Sequence, residues 1–147
     1  MNNYVINRDT LAILPNGKGK SLVYDGLEVY EVNMSPTLLI KRNCLLNGSS
    51  YEGRLKSSDY LINCKYKTPI LVNDKHNLIF FPTNSTRLQT CSWISCENIV
   101  KIYRSERGTS ILFNTDVVIT INISFYVIYN QYLRAVNLDS KLRKNRA

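Results

Sequence analysis

The chain has 147 residues, a mass of 16.9 kDa, and 19 basic against 11 acidic side chains, which gives a formal net charge of +8. A chain of this length buries roughly two-thirds of its unfolded surface, so we expect one domain with one hydrophobic core. The composition, 44% hydrophobic and 20% charged, excludes intrinsic disorder. No apolar run approaches the ~18 residues of a membrane helix, and the first residues lack the pattern of a signal peptide. We therefore expect a cytoplasmic protein without membrane contact, in which the four cysteines are reduced.

The positive charge is concentrated in two segments. Residues 41–67 carry six basic and two acidic side chains, and residues 134–147 carry five basic and one acidic. An excess of this size can serve solubility alone. It can also bind a polyanion, because each Lys or Arg that neutralises a phosphate releases counterions. Both interpretations remain open at the level of composition.

Short β-strands are predicted in the first third of the chain. The turn-forming segment 15–20 separates apolar residues 11–14 from 21–24, which indicates a hairpin. A second turn at Asp25-Gly26 leads to residues 27–32, which alternate as a half-buried strand does. Ser35-Pro36 then predicts the start of a short helix near 36–47.

The remainder is predicted to be mostly antiparallel sheet closed by a helix. We expect a loop over 49–58, a strand over 60–66, and a hairpin of 69–72 with 78–81. A Trp-bearing loop then precedes a meander of 99–103, 110–113 and 117–123. Apolar residues recur at helical spacing near 125–142, ahead of a basic C-terminal tail. The predicted fold class is α+β.

The sequence offers little catalytic or metal-binding chemistry. Gly19-Lys20-Ser21 lacks the earlier glycine of a phosphate-binding loop, because position 14 is Leu. The cysteines have no zinc-ligand spacing, and we expect them to be buried thiols. The single histidine, His76, lies in a predicted turn, where an exposed side chain is expected. We expect neither an enzyme nor a cofactor or metal site.

Two motifs at a characteristic separation carry a family resemblance. They are Gly48-Ser49-Ser50-Tyr51-Glu52-Gly53-Arg54, and Phe81-Pro82-Thr83 followed by Cys91-Ser92-Trp93-Ile94-Ser95. With further matches from Leu11 to Ala135, the sequence resembles the ComK family of competence transcription factors of Gram-positive bacteria. Trp93 itself fits either a core anchor of the sheet or a DNA contact.

The resemblance implies a single DNA-binding domain over residues 1–147. It implies an activator of DNA-uptake genes that recognises A/T-rich promoter boxes of double-stranded DNA, largely through the minor groove. It also implies a dimer or dimer of dimers, contact with the transcription machinery, and a bacterial cytoplasmic location at the nucleoid. Longer family members continue into an extension linked to adaptor-mediated proteolysis. We expect this chain to be a short form, for which the resemblance implies neither that control nor full activator strength.

Candidate DNA contacts are chosen on charge and predicted exposure, with Arg54 first because it lies in a matched motif. Arg54→Ala should weaken binding by roughly 1 to 3 kcal/mol if the side chain enters a groove, and less if it contacts only phosphate. The hydroxyls of Ser50 and Tyr51 can contact phosphates or brace their own loop. The alternative function is a non-catalytic regulator that binds an acidic protein partner. The remaining candidate contacts are Lys56, Arg42, Lys65, Lys67 and Arg87.

Overall fold

A six-stranded antiparallel sheet forms the centre of the molecule in the computed structural model, which describes residues 1–146. The strand order is β3-β2-β1-β6-β5-β4. The predicted N-terminal strands and the central hairpin are confirmed, with Gly26 at φ +60° in the turn between β2 and β3. The strands are β1 (Thr10–Pro15), β2 (Ser21–Asp25), β3 (Glu28–Val32), β4 (Ile70–Asn73), β5 (Leu78–Pro82) and β6 (Trp93–Ser95).

Strand β6 replaces part of the predicted Trp-bearing loop. It lies between β1 and β5, with Ile94 opposite Ala12 and Phe81. Trp93 is fully buried, and its indole nitrogen donates a hydrogen bond to Thr37 Oγ1 at 3.0 Å. Three residues buried on both faces of a sheet are too few to show a periodicity. Trp93 is therefore the core anchor that one of the two interpretations expected.

Two helices follow β3. The first, α1 (Pro36–Leu46), agrees with the predicted helix near 36–47. The second, α2 (Tyr51–Ile62), shows that the loop over 49–58 and the strand over 60–66 were wrong. Ser50 caps α2 by accepting a hydrogen bond from the Gly53 amide at 3.0 Å, and Asn63 ends it in the left-handed conformation. The glycine and paired serines gave this segment the composition of a loop, but the cap and packing on the core fix it as a helix.

The predicted meander and C-terminal helix are confirmed. The meander forms a second, three-stranded sheet of β7 (Ile99–Ser105), β8 (Gly108–Phe113) and β9 (Val118–Ile121). Helix α3 (Phe125–Arg146) runs four residues beyond the predicted end, so the basic segment is helical rather than a separate tail. Arg143 pairs with Asp139 at 2.9 Å, and Arg146 donates to Asn77 Oδ1 at 3.1 Å.

The buried side chains form two clusters, one on each face of the six-stranded sheet. One contains Trp93 and Phe80 with Leu39 and Ile40 of α1. The other joins Phe81 to the second sheet and α3. The expected α+β class with mostly antiparallel sheet is confirmed, with one helix more than predicted. Within residues 1–146, no helix has the length and apolar character needed to cross a membrane.

Candidate nucleic-acid interface

A groove of about 530 Å³ opens between α2, the loop from α2 to β4, and the loop from β5 to β6. We call it the loop groove. Tyr51 and Leu55 of α2 form one wall, and the two loops form the others. The complete lining is Tyr51, Leu55, Lys65, Tyr66, Lys67, Thr68, Ser85, Thr86 and Arg87.

The loop groove is cationic. Three of its lining residues are basic, Lys65, Lys67 and Arg87, and none of its lining residues is acidic. The Lys65 and Arg87 side chains are exposed, whereas Lys67 is half-buried. Hydroxyl groups of Ser85 and Thr86 lie among them, whereas the buried Thr68 hydroxyl donates to the Cys64 carbonyl oxygen at 3.1 Å. Ammonium, guanidinium and hydroxyl donors without a neighbouring carboxylate are suited to phosphate oxygens.

Tyr51 joins the loop groove to the core. Its ring stands edge-on to Trp93, with centroids 6.4 Å apart and planes at 81°. The Lys41 ammonium lies 5.2 Å from the same ring, which adds a fourth cation beside the groove. Burial raises the pKa of the Tyr51 hydroxyl, so the phenol stays neutral and can donate a hydrogen bond.

Helix α3 fixes the backbone of the loop that carries the two lysines. Gln131, which is buried, donates through Nε2 to the carbonyl oxygens of Lys67 at 2.6 Å and Pro82 at 2.8 Å. Arg134 donates to the carbonyl oxygen of Tyr66 at 3.1 Å. One face of α3 therefore holds the backbone of residues 66 and 67, although these residues lie far from α3 in sequence.

A smaller depression of about 140 Å³ adjoins the loop groove and shares Thr86 and Arg87 with it. Gly17 and Gly19 of the turn between β1 and β2 line its far side. That turn carries exposed Lys18 and Lys20, which were predicted to lie in a hairpin turn and were not among the candidate DNA contacts. Only the tertiary structure places this turn near residue 87.

Four of the eight predicted contact residues line the loop groove: Tyr51, Lys65, Lys67 and Arg87. Ser50 is half-buried and caps α2. Lys56 on α2 and Arg42 on α1 are exposed but lie outside the groove lining.

Arg54 lies beside a different loop. Its guanidinium is 3.7 Å from the Asp74 carboxylate in the turn between β4 and β5. The side chain is 19% exposed, and its Nε atom is buried without a hydrogen-bond partner. Arg54 therefore connects α2 to the central hairpin, and it does not line the loop groove with Lys65 and Arg87.

The cysteines and acids form no metal-binding cluster in the described chain. Cys44, Cys64 and Cys91 are buried free thiols, as expected, whereas Cys96 is half-buried. Burial raises the pKa of Cys44 from 9.0 to about 11 and that of Cys96 to about 12, which keeps both protonated at neutral pH. Across residues 1–146, no group of three or more His, Cys, Asp or Glu side chains could hold a metal ion.

These features define a small α+β protein with a cationic groove made from a helix and two loops. Comparison with known proteins gives the family. The family model described as ComK protein matches residues 1–147. The chain is also 30% identical to the Competence transcription factor of Bacillus subtilis (strain 168) over 147 residues, covering 97% of this chain and 77% of that relative.

The chain belongs to the ComK family, as its two motifs indicated. Membership places it among the competence transcription factors, which are regulators and not a class of enzyme. No solved structure matches the chain.

Proposed function

We propose that this protein activates competence genes by binding A/T-rich promoter boxes of double-stranded DNA, and that the loop groove is its main DNA-binding surface. The observation that carries the proposal is the meeting of Lys65, Lys67 and Arg87 in a groove without a lining acid. Each such cation that neutralises a phosphate adds affinity by releasing counterions. Exposed Lys18 and Lys20 beside the adjoining depression extend the same positive surface.

The physical properties of A/T-rich DNA fit these side chains. Its minor groove is narrow and its negative potential is correspondingly deep, which attracts Arg and Lys. The degenerate acceptor pattern in that groove separates A·T from G·C without a helix in the major groove. In our proposal Arg87 enters the minor groove, while Lys65, Lys67 and the hydroxyls of Tyr51 and Thr86 contact phosphates.

The other predicted contacts have peripheral roles in this proposal. Lys56 and Arg42 are exposed and can reach phosphates outside the loop groove. Arg54, at 19% exposure, fits a phosphate contact better than insertion into a groove, and Ser50 acts through the α2 cap. We further propose that the protein works in the bacterial cytoplasm at the nucleoid, as a homo-oligomer that contacts the transcription machinery.

A salt series with two duplexes tests the proposed function. Binding of the full chain to A/T-rich and G/C-rich duplexes is measured by fluorescence anisotropy. We expect tighter binding to the A/T-rich duplex and a linear fall of log affinity with log salt, with a slope of about −0.9 for each phosphate that the protein neutralises. Equal, weak binding to both duplexes would contradict the proposal.

A variant of the loop groove and a control variant outside it test whether the groove is the DNA-binding surface. Lys65→Ala with Arg87→Ala should weaken binding and make the salt slope shallower, by about 0.9 for each phosphate that is no longer neutralised. Lys101→Ala is the matched control, because Lys101 is exposed on β7 of the second sheet and does not line the groove. If the control weakens binding as much as the groove variants do, the binding is nonspecific and the loop groove is not the site.

A further inference from the structure

Helix α3 carries an exposed apolar stripe on the face opposite its buried side. The stripe consists of Tyr126, Tyr129, Leu133 and Val136, which are 69%, 40%, 44% and 39% exposed. The buried face is formed by Ile128, Gln131, Ala135 and Leu138. We call the exposed set the α3 stripe.

The spacing of the α3 stripe is that of a helix–helix contact. Its members follow one another at intervals of three, four and three residues, which are the a and d positions of a heptad. At 100° per residue these four side chains form one line about 15 Å long on the helix surface. A helix that packs on its own domain needs only one apolar face. Packing within the monomer therefore does not account for the second apolar face of α3.

Charge favours a second copy of this chain over an acidic or basic partner. Between residues 125 and 138 the only charged side chain is Arg134, which donates to Tyr66 and Gln131 on the far side from the stripe. At one end Arg104 stacks on Phe125 and Tyr126, with its guanidinium carbon 4.6 and 4.9 Å from the two ring centroids. A chain of net charge +8 repels its own copy over most of its surface, whereas the α3 stripe itself contains no charged side chain and the Arg104 cation lies only at its Tyr126 end.

The α3 stripe is also complementary to itself. In an antiparallel pair related by a two-fold axis level with residue 131, Tyr126 faces Val136 of the second copy and Tyr129 faces Leu133. Each large aromatic side chain then meets a smaller aliphatic one, as close packing requires. The same arrangement places the basic last turns, which contain Arg143, Lys144 and Arg146, at opposite ends of the pair. A parallel pair would bring these charges together.

We propose that the α3 stripe is the surface through which two copies of this chain form an antiparallel homodimer. The inference gives a location to the self-association in the proposed function, and it is tested without DNA. Failure of the dimer is thereby separated from failure of DNA binding.

Sedimentation equilibrium of the full chain over a range of concentrations measures the association. We expect a mass that approaches twice 16.9 kDa. Leu133→Glu places a carboxylate near the axis in both copies and should raise the dissociation constant by at least roughly tenfold. Leu45→Glu is the control, because Leu45 is 65% exposed on α1, away from the stripe, and the same change there should leave the dimer intact.

Cysteine cross-linking tests the orientation. A short bismaleimide linker should join two copies of Asn130→Cys, because residue 130 lies at the edge of the stripe and nearly level with the axis. Val136→Cys should not be joined, because the two copies of residue 136 would be about 15 Å apart along the helices, beyond the reach of that linker. The wild type, with three of its four cysteines buried, gives the background.

Each contrary result has a definite meaning. A monomer at every concentration overturns the dimer, and a dimer that tolerates Leu133→Glu overturns the assignment to this surface. Efficient cross-linking through Val136→Cys without cross-linking through Asn130→Cys overturns the antiparallel orientation.

Discussion

Ser50 Oγ accepts the Gly53 amide hydrogen bond at 3.0 Å, and a Cβ atom added at Gly53 would lie 2.9 Å from the same oxygen. The helix cap and the glycine therefore depend on each other. Both residues belong to the motif Gly48–Arg54 that carries the family resemblance. The motif therefore contains the cap that begins α2, and its Tyr51 lines the loop groove.

This contact predicts that the effect of Gly53→Ala on stability depends on whether residue 50 is Ser or Ala. Ala normally stabilises a helix relative to Gly by up to about 1 kcal/mol, and loss of a Ser cap costs about 1 kcal/mol. Gly53→Ala should displace the Ser50 hydroxyl, so its net effect on the free energy of unfolding should be near zero. In a Ser50→Ala protein the same change should stabilise by about 0.5–1 kcal/mol. Urea unfolding followed by Trp93 fluorescence measures both; equal effects in the two backgrounds would show that the residues are uncoupled.

The ion pair between Arg54 and Asp74 predicts that Arg54 acts mainly through stability. Asp74→Asn should lower the free energy of unfolding by only about 0.5–1 kcal/mol, because Asp74 is exposed and solvent screens the pair. Arg54→Ala should destabilise at least as much, and its effect on DNA affinity should fall below the range of roughly 1–3 kcal/mol expected of a base contact. A binding loss within that range in a folded Arg54→Ala protein would place Arg54 in a DNA groove.

Gly108 should be the glycine least tolerant of substitution. It begins β8 at φ +124°, and an added Cβ would meet the Ile121 carbonyl oxygen and lie 2.9 Å from the Ile123 amide nitrogen. Backbone atoms cannot rotate away as a side chain can, so Gly108→Ala should cost more than about 2 kcal/mol. Gly17→Ala is the control, at φ +81° with open space around it, and should cost about 1 kcal/mol. Equal unfolding midpoints for the two variants would contradict the clash.

The buried thiol of Cys44 predicts lower stability in alkaline solution. Burial raises its pKa from 9.0 to about 11, so the folded protein holds this proton more tightly than the unfolded chain does. The associated stability is fully present below pH 9 and is lost as the pH rises towards 11. Cys44→Ala should make the fall in unfolding free energy shallower across this window, as measured by urea titrations at several pH values. An unchanged pH dependence would mean that Cys44 does not titrate differently in the two states.

Local signals were sufficient for most of the fold. Asp25-Gly26 and segment 15–20 identified turns, and the helical spacing near 125–142 identified α3, because these patterns depend on neighbours in sequence. Helix α2 was missed because Gly53 and the serines around it are typical of loops. The Ser50 cap and the contact of Tyr51 with Trp93 stabilise the helix, and together they outweigh the preference of Gly and Ser for loops.

For the candidate site, too, local sequence features identified individual residues, whereas tertiary contacts decided which of them lie together. Lys65, Lys67 and Arg87 were identified from their charge and predicted exposure, but nothing in their spacing predicts that they line one groove with Tyr51. Arg54 lies in the same basic segment as Lys65 and Lys67, but its position on α2 places its guanidinium beside Asp74. Sequence proximity thus grouped residues that the fold separates.

The amino-acid sequence by itself determined the α+β class, the family and the excess of +8, since composition, periodicity and motif spacing are properties of the chain. Only the tertiary structure decided which of the basic side chains lie together in one groove. Long-range contacts, such as Gln131 with the carbonyl oxygens of Lys67 and Pro82, bring three distant segments together, and their pairing depends on packing across the sheet rather than on neighbours in sequence.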